Sequence, residues 1–204
     1  MKNKKIKILF SDIGGVLLNN GWGHESRKKA AQLFSLDYSS MEILHNFIFN
    51  VYEIGRISLD EYLDTTVFNQ PRSFTRDDFK KFMLNESIKL PEMFDWLISW
   101  RRQHPEVAII AINNEGKELN DFRIQQFALH DCFDAFISSC EVGMRKPDPG
   151  IFQLALGVAQ AEPQNCFYID DRPMLAEAAS KLGIHAITHQ HFEETTNKIN
   201  AFFK

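Results

Sequence analysis

The sequence predicts an α/β fold: a three-layer, mostly parallel sheet with a helical bundle inserted after its first strand. Three observations carry this. From residue 91 onward, short apolar runs alternate with amphipathic helical stretches, the signature of repeated βα units. Two of the apolar runs end in acid, Ile6 to Phe10 before Ser11-Asp12 and Cys166 to Ile169 before Asp170-Asp171. Between about residues 19 and 87 only helical patterns remain.

In chain order, Ile6 to Phe10 is the first strand, and Gly14-Gly15 lets the backbone turn sharply after it. Ser26 to Phe34 and Ser40 to Tyr52 read as helices. Two more begin at capping boxes, Ser58-Leu59-Asp60-Glu61 with the staple pair Ile57 and Tyr62, and Thr75-Arg76-Asp77-Asp78 with Phe74 and Phe79. Loops at Asn19 to Gly23 and Ser87 to Pro91 bound this bundle, so the chain divides into a core of 1-18 and 88-204 and an insertion of 19-87. A helix from Pro91 carries Phe94, Leu97 and Ile98 on one stripe, and the strand Val107 to Ile112 and a helix Lys117 to Ala128 follow. Next come a strand Ala135 to Ser138, a helix Pro149 to Gln160 with Asp148 as N-cap, and the strand ending at Asp170. A helix Pro173 to Leu182 stops at Gly183, then a strand His185 to Thr188 leads to a C-terminal helix. Right-handed crossovers make such a sheet parallel, and such sheets bind ligands at the carboxyl ends of their strands.

The 204 residues are 44% hydrophobic and include 18 Phe, enough for a sizeable core with a modest insertion. A net charge of -4 argues against a nucleic-acid partner, which needs a basic face. The basic start, Lys2 to Lys7, precedes an apolar stretch too short for a signal peptide, and no run approaches a membrane span, so the expectation is a cytoplasmic protein without a membrane partner. Cys132, Cys140 and Cys166 form no Cys-x-x-Cys pair and read as free thiols of a reducing compartment. His189 and His191 share a strand face without a nearby third ligand and read as surface residues.

Chemistry concentrates at the strand ends. Asp12 stands on a rigid mount beside two glycines; read alone, it is equally an acid that ends a strand. Lys146 lies in the stiff loop Gly143-Met144-Arg145-Lys146-Pro147-Asp148-Pro149. Asp170 and Asp171 form a carboxylate pair which, with Asp12, makes an oxygen cradle suited to Mg²⁺.

Asp12 with Gly14-Gly15-Val16-Leu17, the Arg145-Lys146-Pro147-Asp148 loop and the Ile169-Asp170-Asp171 strand end resemble motifs one, three and four of the haloacid dehalogenase-like hydrolase superfamily, over nearly the whole chain. The resemblance implies a Rossmann-like core, a small helical cap, and a Mg²⁺-dependent phosphatase acting on a small phosphorylated metabolite. Carried over, Asp12 is the nucleophile that becomes an aspartyl phosphate. Lys146 neutralises the nucleophile and the phosphoryl group, Asp171 ligates the metal, Asp170 holds the metal or its waters, and the Gly14 carbonyl is a further ligand. Asn113 and Asn114, at the end of the second strand, fall where the family binds phosphate.

Three positions depart from that pattern. Gly14 stands where the family carries a second Asp that protonates the leaving group, a contribution of about 10² to 10⁴ in rate. Asn113 replaces a Ser or Thr, and its amide N–H remains available for a phosphoryl oxygen; Asn113-Asn114 also reads simply as a turn. Leu175 replaces a polar residue and falls in step with Ala178, Ala179 and Leu182 as a helix-packing residue. The expectation is therefore a weakened phosphatase favouring good leaving groups, such as sugar 1-phosphates or acyl phosphates. The alternatives are a catalytically impaired phosphate-binding or regulatory relative and, less favoured, carbon–halogen hydrolysis. Trp22, Phe47, Phe49 and Tyr52 read as the bundle's own core or as a substrate wall, and His24 as a solvated linker residue.

Overall fold

The computed structural model describes residues 7–204. Lys2 to Lys5 of the basic start, and Ile6 of the expected first strand, lie outside the described residues. Strand β1 (Ile8–Ser11) leads into four helices, α1 (His24–Leu33), α2 (Tyr38–Glu53), α3 (Leu59–Thr66) and α4 (Arg76–Asn85). The chain continues through α5 (Pro91–Gln103), β2 (Ala108–Asn113), α6 (Lys117–Gln126), β3 (Ala135–Ser138) and a short α7 (Ser139–Val142). It ends with α8 (Pro149–Ala159), β4 (Cys166–Asp170), α9 (Pro173–Ser180), β5 (His185–Thr188) and α10 (Phe192–Phe203).

The strands form one sheet in the order β3-β2-β1-β4-β5, every pair parallel. β1 is therefore central, and the connectivity reverses direction between β1 and β4. That reversal opens a crevice at their carboxyl ends, where Asp12 and Asp170 stand. Alternate residues of each strand serve opposite faces. Leu9, Ile109, Ala111, Phe167 and Ile169 pack with Leu97 and Trp100 of α5 and Ile199 and Phe203 of α10. Ile8, Phe10, Ile110, Ile112 and Tyr168 pack on the other face with Ile151, Phe152 and Ala155 of α8 and Ala179 of α9. Burial on both faces is why these strands read as continuous apolar runs rather than alternating ones.

Helices α1 to α4 close around a separate cluster that includes Trp22, Met41, Tyr52, Tyr62, Leu63, Phe79 and Met83, with Leu119 of α6 reaching into it. Both expected capping boxes form, on Ser58 with Glu61 and on Thr75 with Asp78. The staple rings Phe74 and Phe79 stack with centroids 5.9 Å apart. Glu118 of α6 ties the bundle to the sheet side of the molecule, accepting from Leu59 N at 3.0 Å and from the Tyr52 hydroxyl at 3.1 Å. Among the described residues no helix is long and apolar enough to cross a membrane.

The short α7 was not anticipated. Its start is pinned by long-range contacts: the Ser139 hydroxyl donates to Glu53 O at 2.6 Å and accepts from Glu115 N at 3.0 Å. All three cysteines are free, with Cys132 and Cys166 buried and burial raising their thiols to about 12.

Candidate active site

β1 delivers Asp12 to the crevice with its backbone fixed, since Asp12 N donates to Ile169 O at 2.9 Å across the β1–β4 boundary. Its carboxylate accepts from Ile13 N at 2.7 Å through Oδ1 and lies 3.0 Å from Lys146 Nζ through Oδ2. The turn after it needs glycine at Gly15, where φ is 69° and a Cβ would fall 2.1 Å from Asp171 Oδ2. The backbone's close approach to Asp171 therefore depends on the missing side chain.

Lys146 is buried, and its ammonium meets Asp12 Oδ2 at 3.0 Å, Asp170 Oδ2 at 2.8 Å and the Tyr168 hydroxyl at 3.0 Å. Its three donors thus have three acceptors. Asn114 sets the position of the lysine, its Nδ2 donating to Lys146 O and its Oδ1 accepting from Lys146 N, both at 2.9 Å. Tyr168 also donates to Asp170, and burial, reinforced by that carboxylate, holds its phenol well above the usual range. Asp170 Oδ1 accepts from Arg172 N at 2.9 Å.

Asp12, Asp170 and Asp171 each offer an oxygen within 4.8 Å of the others. Against three carboxylates stand the ammonium of Lys146 and, at Asp171, the guanidinium of Arg172. Burial raises Asp12 to about 6 although Lys146 opposes the shift, and burial also raises Asp171. Asp171 Oδ1 is buried without any hydrogen-bond partner. An all-oxygen cluster with excess negative charge and an orphaned carboxylate oxygen fits a hard divalent cation, which would relieve both.

A cavity of about 340 Å³ opens over this cluster, lined by Asp12, Gly14, Asn113, Asn114 and Lys146 from the sheet ends and by Trp22, His45 and Phe49 from the bundle side. Asn113 lines the cavity, its Nδ2 donating to Asn120 Oδ1 at 3.0 Å and its Oδ1 accepting from Ser138 at 2.8 Å. These bonds leave one amide hydrogen of Asn113 uncommitted. Asn114 also lines the cavity, and its two bonds to Lys146 likewise leave one amide hydrogen uncommitted. Leu175 is buried yet lines the cavity rather than joining Ala178, Ala179 and Leu182 under the sheet, so it forms part of the wall. Trp22 serves both the bundle core and the cavity, whereas Phe47 is 77% exposed and serves neither. His24 lines the cavity and meets the Tyr38 hydroxyl at 2.7 Å.

Sequence reasoning missed a buried ion pair beside Gly14. Arg123 Nη1 lies 2.7 Å from Glu115 Oε2, and both side chains line the cavity. A Cβ on Gly14 would meet Asn20 Oδ1 at 3.0 Å and Arg123 Nη1 at 3.9 Å, so these two groups flank the place a side chain would take. Burial raises Glu115 to about 7 against the pull of Arg123. Little in the sequence signals this pair, since Glu115 lies before the N-cap of α6 and Arg123 stands 8 residues on, beyond the spacing at which side chains of one helix meet.

The sequence profile of the haloacid dehalogenase-like hydrolase family matches residues 6–183. Flavin mononucleotide hydrolase 1 of Arabidopsis thaliana is 31% identical over 206 aligned positions, covering 98% of this chain and 78% of that protein. Drimenol cyclase drtB of Aspergillus calidoustus is 24% identical over 97% of this chain, which spans only 37% of that longer protein. The chain likewise spans 26% of the bifunctional epoxide hydrolase 2 of Sus scrofa that it matches. Among solved structures, the HAD family enzyme bt-2542 of Bacteroides thetaiotaomicron superposes with a TM-score of 0.81 at 22% identity, covering 96% of this chain and 99% of that one. Its complex with magnesium and inorganic phosphate superposes with a TM-score of 0.74 at 23% identity, covering 91% and 94%. With a profile match across most of its length, an all-parallel sheet and an acidic cluster at the strand ends, this chain belongs to the haloacid dehalogenase-like hydrolase family.

Proposed function

We propose that the protein is a Mg²⁺-dependent phosphatase of a small phosphorylated metabolite, with residues 19–87 acting as a cap over a core formed by 1–18 and 88–204. The observation that carries this reading is the Asp12 carboxylate held 3.0 Å from Lys146 Nζ within a three-carboxylate cluster. The complex of bt-2542 with magnesium and phosphate, and the flavin mononucleotide hydrolase relative, support it. We place the protein in the cytoplasm on the strength of its three free cysteines.

Asp12, Asp170, Asp171 and the Gly14 carbonyl would hold the cation, which when bound offsets charge on the phosphoryl oxygens. Asp12 supplies the nucleophilic oxygen: one carboxylate oxygen bonds to phosphorus as the bond to the leaving oxygen breaks. Water then attacks the aspartyl phosphate, releasing inorganic phosphate and restoring the carboxylate. Lys146, fixed by Asn114, stabilises charge on the phosphoryl group as it is transferred. Position 14 has no side chain to protonate the leaving oxygen, so turnover depends on a leaving group that departs readily.

The test is Mg²⁺-dependent hydrolysis of an aryl phosphate by the wild type and by Asp12→Asn, with a chelator control. Turnover by the wild type alone, abolished by chelator, is expected. A second reading, a phosphate-binding relative without turnover, is favoured by the diversion of the Asn113 amide to Asn120 together with Gly14. Tight phosphate binding by a wild type inert on aryl, acyl and sugar phosphates would establish it instead.

A further inference from the structure

Phosphoryl transfer as described leaves the bundle-side wall of the cavity without a task. His45 of α2 is 5% exposed and lines that wall with Trp22 and Phe49. His45 Nδ1 lies 2.8 Å from the Tyr62 hydroxyl, which lies 2.8 Å from Trp22 Nε1. An indole N–H only donates, so the Tyr62 oxygen accepts from Trp22. If the oxygen also accepted from Nδ1, its own hydrogen would have no hydrogen-bond acceptor among the described residues, so the arrangement that satisfies every buried donor directs that hydrogen at Nδ1 and leaves this nitrogen unprotonated. The imidazole consequently carries its proton on Nε2.

Nε2 has no protein partner among the described residues. The ring itself is held: Phe49 packs over it with centroids 4.4 Å apart, and Tyr62 meets it edge-on at 6.0 Å. Burial is the main reason His45 is lowered to about 4, helped by Arg27 and opposed by Glu42, so the ring is neutral at neutral pH. Arg27, the cation on this wall, is committed elsewhere. Its Nε and Nη2 donate to Glu42 at 2.8 and 2.6 Å, and its Nη1 donates to Trp22 O at 2.8 Å. His45 therefore gives this wall an oriented neutral donor between aromatic faces.

We propose that His45 is a specificity-determining residue whose Nε2–H donates to an uncharged oxygen on the leaving group, selecting phosphorylated sugars and polyols over phosphates of apolar alcohols. The substrate class rests on the phosphatase reading; the state of the His45 donor does not. Aromatic faces suit the C–H surfaces of a sugar ring, and a buried donor left unpaired by an apolar leaving group discriminates against it.

The test compares wild type, His45→Phe and His45→Gln on hexose phosphates, pentose phosphates, phenyl phosphate and acetyl phosphate. For the best sugar phosphate, His45→Phe is expected to raise KM about 10- to 100-fold, the range for one buried hydrogen bond, with kcat nearly unchanged. Phenyl phosphate, whose leaving group has no oxygen beyond the bridging one, should change less than about twofold, and His45→Gln, which keeps an N–H near Nε2, should recover part of the sugar selectivity. Equal losses on all substrates, or no wild-type preference for any sugar phosphate, would overturn the proposal while leaving the phosphatase reading intact. A second readout needs no turnover: histidine ¹⁵N NMR should show the Nε2–H tautomer, and the His45 signal should move with a sugar phosphate but not with inorganic phosphate. An Nδ1–H tautomer, or the same response to both probes, refutes it. A selective response in a protein that hydrolyses nothing sinks the phosphatase reading and keeps the His45 assignment.

Discussion

Asp12 shows how a single side chain carries opposing demands. Burial raises it to about 6, and Lys146 only partly offsets this. An acid whose folded pKa exceeds its unfolded value binds more protons when folded, so stability falls as pH rises from about 4 to 6, and the deficit persists above that. In metal-free protein at pH 7, Asp12→Asn should therefore raise unfolding free energy, by on the order of 2 kcal/mol, with Lys146 still paired to Asp170 at 2.8 Å. The gain should vanish below pH 4, and saturating Mg²⁺ should shrink it by stabilising the wild type. Thermal melts with chelator and with Mg²⁺, at pH 4 and 7, decide the matter; an Asn variant no more stable than wild type at pH 7 without metal would refute it. Asp12, Lys146, Asp170 and Asp171 were legible because strand ends and a proline-flanked loop are local signals. The commitments of Asn113, Glu115, Arg123 and His45 were not, because each depends on partners distant in sequence, such as Tyr62 for His45.

Secondary elements were legible for a related reason. Apolar periodicity and caps act over a few residues, and β3, β4 and β5 fall where their apolar runs do. How α2 docks on the sheet side of the molecule was not legible, since it hangs on the absence of a side chain. Gly116, at the N-cap of α6, has an ordinary φ of -69°, yet a Cβ there would lie 2.0 Å from Tyr52 Cε1. Tyr52 is fully buried, and its hydroxyl donates to Glu118. Gly116→Ala must therefore displace Tyr52 and with it α2, at a cost of about 1–3 kcal/mol, the usual range for overpacking. Urea denaturation of Gly116→Ala beside Tyr52→Phe tests this. The Phe variant keeps the ring and loses one hydrogen bond, about 1 kcal/mol. An alanine variant as stable as wild type would mean that this contact does not set the position of α2.

At the scale of the molecule, the bundle joins the core through two linkers, and one side chain holds both. Arg123 Nε donates to Ser87 Oγ at 3.2 Å in the returning linker, Nη2 donates to Asn19 O in the outgoing one, and Nη1 pairs with Glu115. Replacing this arginine releases both linkers and leaves Glu115 buried without its counter-charge. Arg123→Met should cost about 3–5 kcal/mol, the range for breaking a buried pair from one side. Because burial already raises Glu115 to about 7 with Arg123 present, losing the guanidinium moves it further up. The stranded carboxyl then takes a proton at lower pH, so the deficit of Arg123→Met should be smaller at pH 5 than at pH 8. Glu115→Gln in the Arg123→Met background removes the stranded charge and should recover part of the loss at pH 8 and little at pH 5. Denaturant titrations of the single and double variants at both pH values separate these contributions: a loss that is pH-independent and unrelieved by Glu115→Gln would assign Arg123's role to the linkers alone, whereas relief confined to pH 8 assigns a share of it to the ion pair.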